Sequence, residues 1–443
     1  MKDLTKGKPS VLIPTFALPI FLANLLQLTY SIVDTRIVGT FLGENMLAAV
    51  GATTTLSNLI IGFLLGLSNG FAIVTAQKFG AKDIRAVKKS FATAIILGVL
   101  TALVLTVVGL VFLHPILRFL NIPDELFKES ASYISVIIAG LLATFLYDIC
   151  AAVLRAIGDT ITPLIILAIS VVLNVAGDIF FVVIVKAGVR GAAVATVLAQ
   201  LIAFVVCAFY MVKKYDILRL SRTDFKGMES AMVKNMLGGG LSMGFMSSLV
   251  NIGSLTLQTA INKLGQDIIV AHTAARKISE IFMVMFTVFG QTMATYCGQN
   301  IGAGKVDRVK KGIRLSILYT CIWCTLIIIA SYTIGGWLVY LVTGSSNDAV
   351  IVNATNYLKF DTIFYYVTAV ICIVRNAMQG LGEHITPLIS SSLEMIGKII
   401  IAATLVPVMG YTGVIIAEPL VWFIMVIPLI VKIYRMPVLK ESR

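Results

Sequence analysis

Asp34 and Asp178 are the residues best placed to do chemistry, because each stands inside a long apolar run. An ionised side chain at the centre of a bilayer costs about 2.5–3.5 kcal/mol on insertion scales, so each needs a partner or a task. Gln27, Tyr30 and Asp34 follow at i, i+3 and i+7 and share one face of a helix. Asn174 and Asp178, at i and i+4, share another. Two carboxylates and an amide carbonyl make an oxygen set suited to a hard cation such as Na⁺. Desolvated together, the carboxylates would instead keep a proton between them. The chemistry in view is reversible binding of H⁺ or Na⁺, without a cofactor. The plainer alternative is that these groups only hydrogen-bond between helices.

Whatever positions these groups is embedded in lipid. The 443 residues are 58% hydrophobic and 13% charged, against about 25% charged in soluble domains. That excludes a water-soluble globule, a disordered chain and a disulfide-stapled secreted domain. A span takes about 20 apolar residues, and the chain has room for about twelve. The runs predict spans near 11–34, 46–74, 90–117, 131–154, 162–185 and 191–212, then near 235–261, 267–297, 312–341, 350–378, 386–407 and 411–433. Alternate connections are basic, as in Lys2, Lys6 and Lys8, in Lys88 and Lys89, in Arg219, Arg222 and Lys226, in Lys310 and Lys311, and in Lys432, Arg435, Lys440 and Arg443. By the positive-inside rule both termini are cytoplasmic. Topology therefore accounts for the net charge of +13, and no nucleic-acid partner is expected. No cleavage site follows a short apolar stretch, so the first run should remain as a span. Six dispersed cysteines and three scattered histidines offer no metal-ligand spacing.

The chain repeats itself. Leu42-Gly43 returns as Leu264-Gly265 and Val87-Lys88-Lys89 as Val309-Lys310-Lys311, 222 residues on. Gly158-Asp159-Thr160-Ile161-Thr162-Pro163 is answered by Gly382-Glu383-His384-Ile385-Thr386-Pro387, and Gly188 with Gly191 by Gly410 with Gly413. Six spans per half put both halves in the same orientation. The expected fold is all-α and polytopic, with twelve transmembrane helices in two pseudo-symmetric six-helix lobes. An N-lobe over 1–213 and a C-lobe over 231–443 are joined by a cytoplasmic connection at 214–230. Two repeated bundles around a central cleft suit alternating access.

These motifs resemble the multidrug and toxic compound extrusion family of cation-coupled antiporters. The resemblance rests on Val33-Asp34-Thr35, on Gln77 with Gly80-Ala81, and on Gly298-Gln299-Asn300-Ile301-Gly302-Ala303. It rests also on Leu154-Arg155-Ala156-Ile157-Gly158-Asp159 and on Gly191-Ala192-Ala193. It implies export of amphiphilic, often cationic compounds from the cell membrane against Na⁺ or H⁺. It also implies that Thr196 completes an N-lobe cation site, that Tyr133 and Asp148 line the same cavity, and that helix 1 bends at Pro19. Asp148 departs from the asparagine the family pattern leads one to expect.

In the C-terminal half, Glu394 and Lys398 at i and i+4 either neutralise each other or meet cargo, together with Gln27, Tyr30 and Gln200 from the N-terminal half. Arg276 and Lys277 are either interfacial anchors or cleft residues. The family's second branch carries a glutamate on span 7 and an aspartate on span 10. Here Phe245-Met246-Ser247-Ser248 and Val374-Arg375-Asn376 lead one to expect no second cation site. Gln77 with Gly80 and Gln299 with Gly302, at equivalent span ends, are expected to serve conformational change. Against this reading stand a lipid-linked-sugar flippase of the same superfamily and an intramembrane enzyme. The three carboxylates disfavour an anionic cargo, and no nucleophile–base pair marks an enzyme. The chain is expected to act as a monomer on small-molecule substrates.

Overall fold

Without water to satisfy its backbone, a lipid-embedded chain closes its hydrogen bonds inside helices. A computed structural model describes residues 2–344 and 347–440, except the side chain of residue 438; Arg443 of the basic tail lies outside them. The helices are α1 (Pro9–Leu42), α2 (Glu44–Gly80), α3 (Ile84–Val111), α4 (Leu113–Phe119), α5 (Asp124–Ala139), α6 (Leu141–Ala156), α7 (Ile161–Asp178) and α8 (Gly188–Lys214). They continue as α9 (Ser230–Ile261), α10 (Gln266–Gly302), α11 (Val306–Thr343), α12 (Asp348–Ile363), α13 (Tyr365–Gly380), α14 (Ile385–Met409) and α15 (Tyr411–Arg435).

Ten of these are long and apolar enough to cross a membrane singly. Two further spans are bent pairs, α5 with α6 at 46° and α12 with α13 at 53°, which brings the total to the expected twelve. The breaks fall at Gly140 and Phe364, 224 residues apart. The bend thus belongs to the repeated architecture and not to glycine, since a phenylalanine stands at the second one.

The chain divides into two compact units. The first comprises Leu18–Gly244 with the extreme N-terminus through Asp3, and the second comprises Leu4–Ala17 and Phe245–Arg443. Both divisions cut through helices: α1 changes unit just before Pro19, and α9 changes just after Gly244. In the first unit α2 packs on α3, α5 and α6, and α8 packs on α5, α6 and α7. In the second, α10 packs on α11, α12 and α13, and α15 on α13 and α14. Each unit has its own apolar core, around Phe71, Phe145 and Leu154 in one and around Phe286, Val421 and Trp422 in the other.

The repeat is visible in backbone detail. Gly158 and Gly382 have φ of +88° and +87°, so each supplies the left-handed turn that ends one helix before the next begins. The following acid then caps the new helix. Asp159 accepts from Thr162 N (3.0 Å), Thr162 Oγ1 (2.6 Å) and Tyr215 Oη (2.5 Å). Glu383 accepts from Ile385 N and Thr386 N and pairs with Lys432 at 3.0 Å. Burial opposes ionisation of Asp159, but the bonds from Thr162 and Tyr215 outweigh it and hold the carboxyl below its ordinary range. A depressed folded-state pKa stabilises above the unfolded value of about 3.9 and is lost as pH falls through the folded value. Asp159→Asn should therefore lower the melting midpoint in detergent at pH 7, by about 1.5–3 kcal/mol, because an NH₂ in place of Oδ2 cannot accept from Thr162 Oγ1 and Tyr215 Oη. The deficit against the parent should shrink below about pH 4 as the parent's own carboxyl takes up a proton.

Candidate functional site

The first unit brings together most of the polar residues singled out from its sequence. Asn174 and Asp178 lie one turn apart on α7 and are 2% and 0% exposed. Asp34 on α1 lies within electrostatic reach of Asp178. Thr196 on α8 stands opposite, 3.4 Å from the Tyr30 hydroxyl. Tyr30 and Tyr133 both lie within electrostatic reach of the two acids. An apolar cluster of Val38, Val182 and Ala192 packs against Tyr133. Immediately after Asp178 the helix widens into a π-turn over Ile179–Ile184. The matching helix α14 of the second half has no such turn among the described residues. Helix irregularities of this kind concentrate at functional sites.

The amide of Asn174 is best satisfied with its NH₂ donating to Asp178 Oδ2 (2.9 Å) and its oxygen accepting from Thr196 Oγ1 and N (both 3.1 Å). Oδ1 of Asp34 and Oδ1 of Asp178 are both buried and lack a hydrogen-bond partner among the described residues. Two unmatched carboxylate oxygens in one apolar site fit one shared positive charge.

Other expected members lie elsewhere. Asp148 has Arg155, two turns along α6, as its charged neighbour, and neither Asp34 nor Asp178 is among its electrostatic partners. Tyr133 and Asp148 are 15 residues apart, about 20 Å along the helices at 1.5 Å per residue, which separates Asp148 from the pair beside Tyr133. Arg155 Nη2 donates to Asn69 Oδ1 at 3.1 Å. Gln27 is exposed on α1, while Gln200, one turn beyond Thr196, has a buried Oε1 without a partner among the described residues. Pro19 lies within the unbroken helix α1.

In the second unit, Glu394, Lys398 and Arg276 sit in one buried ion-pair network. Lys398 Nζ meets Glu394 at 2.9 Å and Glu418 at 3.4 Å, and Arg276 Nη1 meets Glu418 at 2.9 Å. Lys277 pairs separately with Glu280 at 3.5 Å. Asp361 on α12, 0% exposed, lies within electrostatic reach of Glu418, Arg276 and Lys398. The expected absence of a second cation site rests on Val374-Arg375-Asn376, yet the same run carries Asp361 as its sole acid, as Glu418 is of the last run. Attention to lone acids in apolar runs would have found both.

The repeated span ends are helix termini. α2 ends at Gly80 and α10 at Gly302, each followed two residues later by a positive φ, at Lys82 (59°) and Gly304 (68°). Gln299 faces the segment ahead of α1. Its Oε1 accepts the backbone N–H of Leu4 at 3.0 Å, and Asn300, Lys305 and Arg308 donate to the carbonyls of Leu4, Thr5 and Gly7. The segment ahead of α1 is thereby tied into the second unit.

Known proteins share this layout. The family model described as MatE matches residues 19–180 and 243–404, once in each half. The probable multidrug resistance protein YpnP of Bacillus subtilis is 27% identical over 391 residues, covering 87% of this chain and 86% of that protein. YoeA, a second probable multidrug resistance protein of that species, is 29% identical over 347 residues, or 76% and 72% of the two chains. A crystal structure of MATE in the bent conformation superposes with a TM-score of 0.92 at 21% identity, over 99% of this chain and 98% of that one. That likeness establishes the twelve-helix fold. With its two halves each matched by the family model and the same helices found throughout, this multi-pass membrane protein belongs to the MatE family.

Proposed function

We propose that the protein is a monomeric secondary antiporter of the cell membrane, exporting small amphiphilic or cationic organic compounds in exchange for H⁺, with Na⁺ competing for the same site. The observation that carries this is the meeting of Asp34 and Asp178, each with one buried oxygen that nothing else satisfies. Binding one positive charge there and losing it again changes the charge of the first unit by one. Alternating access couples that event to cargo movement when the loaded and empty sites favour opposite-facing states. A sodium ion would draw on the two carboxylates and the hydroxyls of Tyr30 and Tyr133, whereas a proton needs only the carboxylate pair. Two acids this close in a buried site resist being ionised together, which supports H⁺ as the usual occupant. The basic connections support a cytoplasmic side for both termini, toward which the membrane potential draws the coupling cation. The names carried by YpnP and YoeA support organic compounds as cargo. Neither name speaks for a lipid-linked-sugar flippase.

Efflux of a fluorescent organic cation from proteoliposomes, under separately imposed pH and Na⁺ gradients, tests the reading. A pH gradient alone should drive export, and added Na⁺ should slow it. Export driven by Na⁺ and indifferent to pH would overturn the assignment of the proton, and export driven by neither would overturn antiport.

A further inference from the structure

The repeat maps the first unit's site onto the second unit position by position. Shifted by 224 residues, Tyr133 falls on Tyr357 and Asn174 on Lys398; shifted by 222, Thr196 falls on Glu418 and Asp34 on Thr256. The helices concerned correspond as well, α5 with α12, α7 with α14 and α8 with α15. In the first unit the Asn174–Thr196 contact joins an amide and a hydroxyl at 3.1 Å. In the second unit the same contact joins an ammonium and a carboxylate at 3.4 Å.

Lys398 Nζ has three oxygens around it: Glu394 Oε1 at 2.9 Å, Ser254 Oγ at 3.2 Å and Glu418 Oε1 at 3.4 Å. They come from three helices, α14, α9 and α15. Two of the ammonium's three donors make hydrogen bonds, to Glu394 and Ser254, and Glu418 meets it as an ion pair. The lysine is 2% exposed, Glu394 6% and Glu418 5%. Such an arrangement has the form of a dehydrated monovalent cation held by oxygen ligands, except that the cation is anchored by a four-carbon stem.

We propose that the second unit retains a monovalent-cation site equivalent to the first unit's, permanently filled by the Lys398 ammonium. The tether explains the asymmetry between the halves. A free ion can leave the first site and return, while the second is fixed in its loaded state. Removing the side-chain amine should turn the second site into one that binds a free cation. This goes beyond the antiport reading, because its test measures stability and ion binding and involves no transport.

The experiment uses full-length Lys398→Ala in detergent at constant ionic strength, with N-methyl-D-glucamine chloride as the filler salt. Taking one partner from a buried ion pair leaves an uncompensated charge. The variant should therefore melt several degrees below the parent in filler salt alone. Methylammonium, which replaces the lost group, and Na⁺ should each restore the midpoint saturably, with no comparable gain in the parent. Equilibrium dialysis with radioactive Na⁺ should show one equivalent more than the parent binds. The neutralised variant Glu394→Gln/Lys398→Ala, which keeps the Arg276–Glu418 pair, should fold and ignore both cations. If Lys398→Ala yields no folded protein in filler salt, purification with methylammonium throughout should recover it. The proposal is overturned if neither cation restores the single variant, or if the neutralised variant responds equally.

Discussion

Asp34→Asn and Asp178→Asn should each abolish gradient-driven efflux, a loss of at least about 100-fold, while the protein still folds and still binds cargo. The argument is electrostatic. Asparagine keeps the size and polarity of a protonated aspartate but can neither release nor rebind a charge. With one carboxylate gone, the site's buried negative charge no longer demands a cation, and the two faces of the membrane become equivalent to it. Cargo equilibration down its own gradient should survive, since that movement needs only the conformational change. Asp148→Asn offers a contrast, because Asp148 is partnered with Arg155 on the far side of the Gly140 bend. That variant should retain its response to a pH gradient. Asp361→Asn separates the units in the same assay. A retained response keeps coupling in the first unit, and a loss equal to that of Asp34→Asn would extend coupling to both. Full coupled transport by Asp34→Asn or Asp178→Asn sinks the carboxylate-pair mechanism.

The pair was legible in the sequence because lipid makes acids conspicuous. Asp34 and Asp178 interrupt long apolar runs, and helical spacing alone puts Asn174 on the face of Asp178. The twelve spans and their duplication were legible for the same reason, as runs of fixed length and motifs at a constant shift. What escaped was set by tertiary geometry. No residue type announces the break at Phe364, which mirrors the one at Gly140 only because the two halves share a backbone. The orientation of the Asn174 amide depends on Thr196, 22 positions away in the chain, and spacing cannot supply it. Asp361 and Glu418 were legible in principle. They were missed because attention to the paired charges Glu394 and Lys398 stopped at a local i, i+4 explanation. The Lys398–Glu418 contact crosses helices and appears only when the repeat shift is applied to Asn174 and Thr196.

A second signal in the sequence went unread, and it carries the other large expected effect. Gly66 and Gly70 on α2, like Gly240 and Gly244 on α9, have the i, i+4 glycine spacing that lets helix backbones touch. In the first unit the two stripes face each other. A Cβ added at Gly70 would lie 2.5 Å from the Gly240 backbone, and one at Gly66 would lie 2.6 Å from Gly244 N and Met243 O. From the other side, a Cβ at Gly240 would lie 2.5 Å from the Phe71 ring, and one at Gly244 would lie 2.8 Å from that of Phe63. Backbone atoms cannot rotate aside as a side-chain tip can, so a substitution at Gly66 or Gly70 must push the helices apart. Overpacking costs about 1–3 kcal/mol and more when main chain has to move. At about 1.36 kcal/mol per tenfold, that depopulates this packing by about 10- to 100-fold or more. The contact ties the first half of α9 to the first unit, and just beyond it, after Gly244, the helix passes into the second. Gly66→Val and Gly70→Val should therefore cut the maximal efflux rate by about that factor for every cargo alike. Apparent cargo affinity in detergent should change far less. Gly51→Ala is the control, because nothing lies within 4 Å of its added Cβ, and it should transport as the parent does. If Gly70→Val matches Gly51→Ala in rate and in melting midpoint, the backbone contact between α2 and α9 has no part in transport.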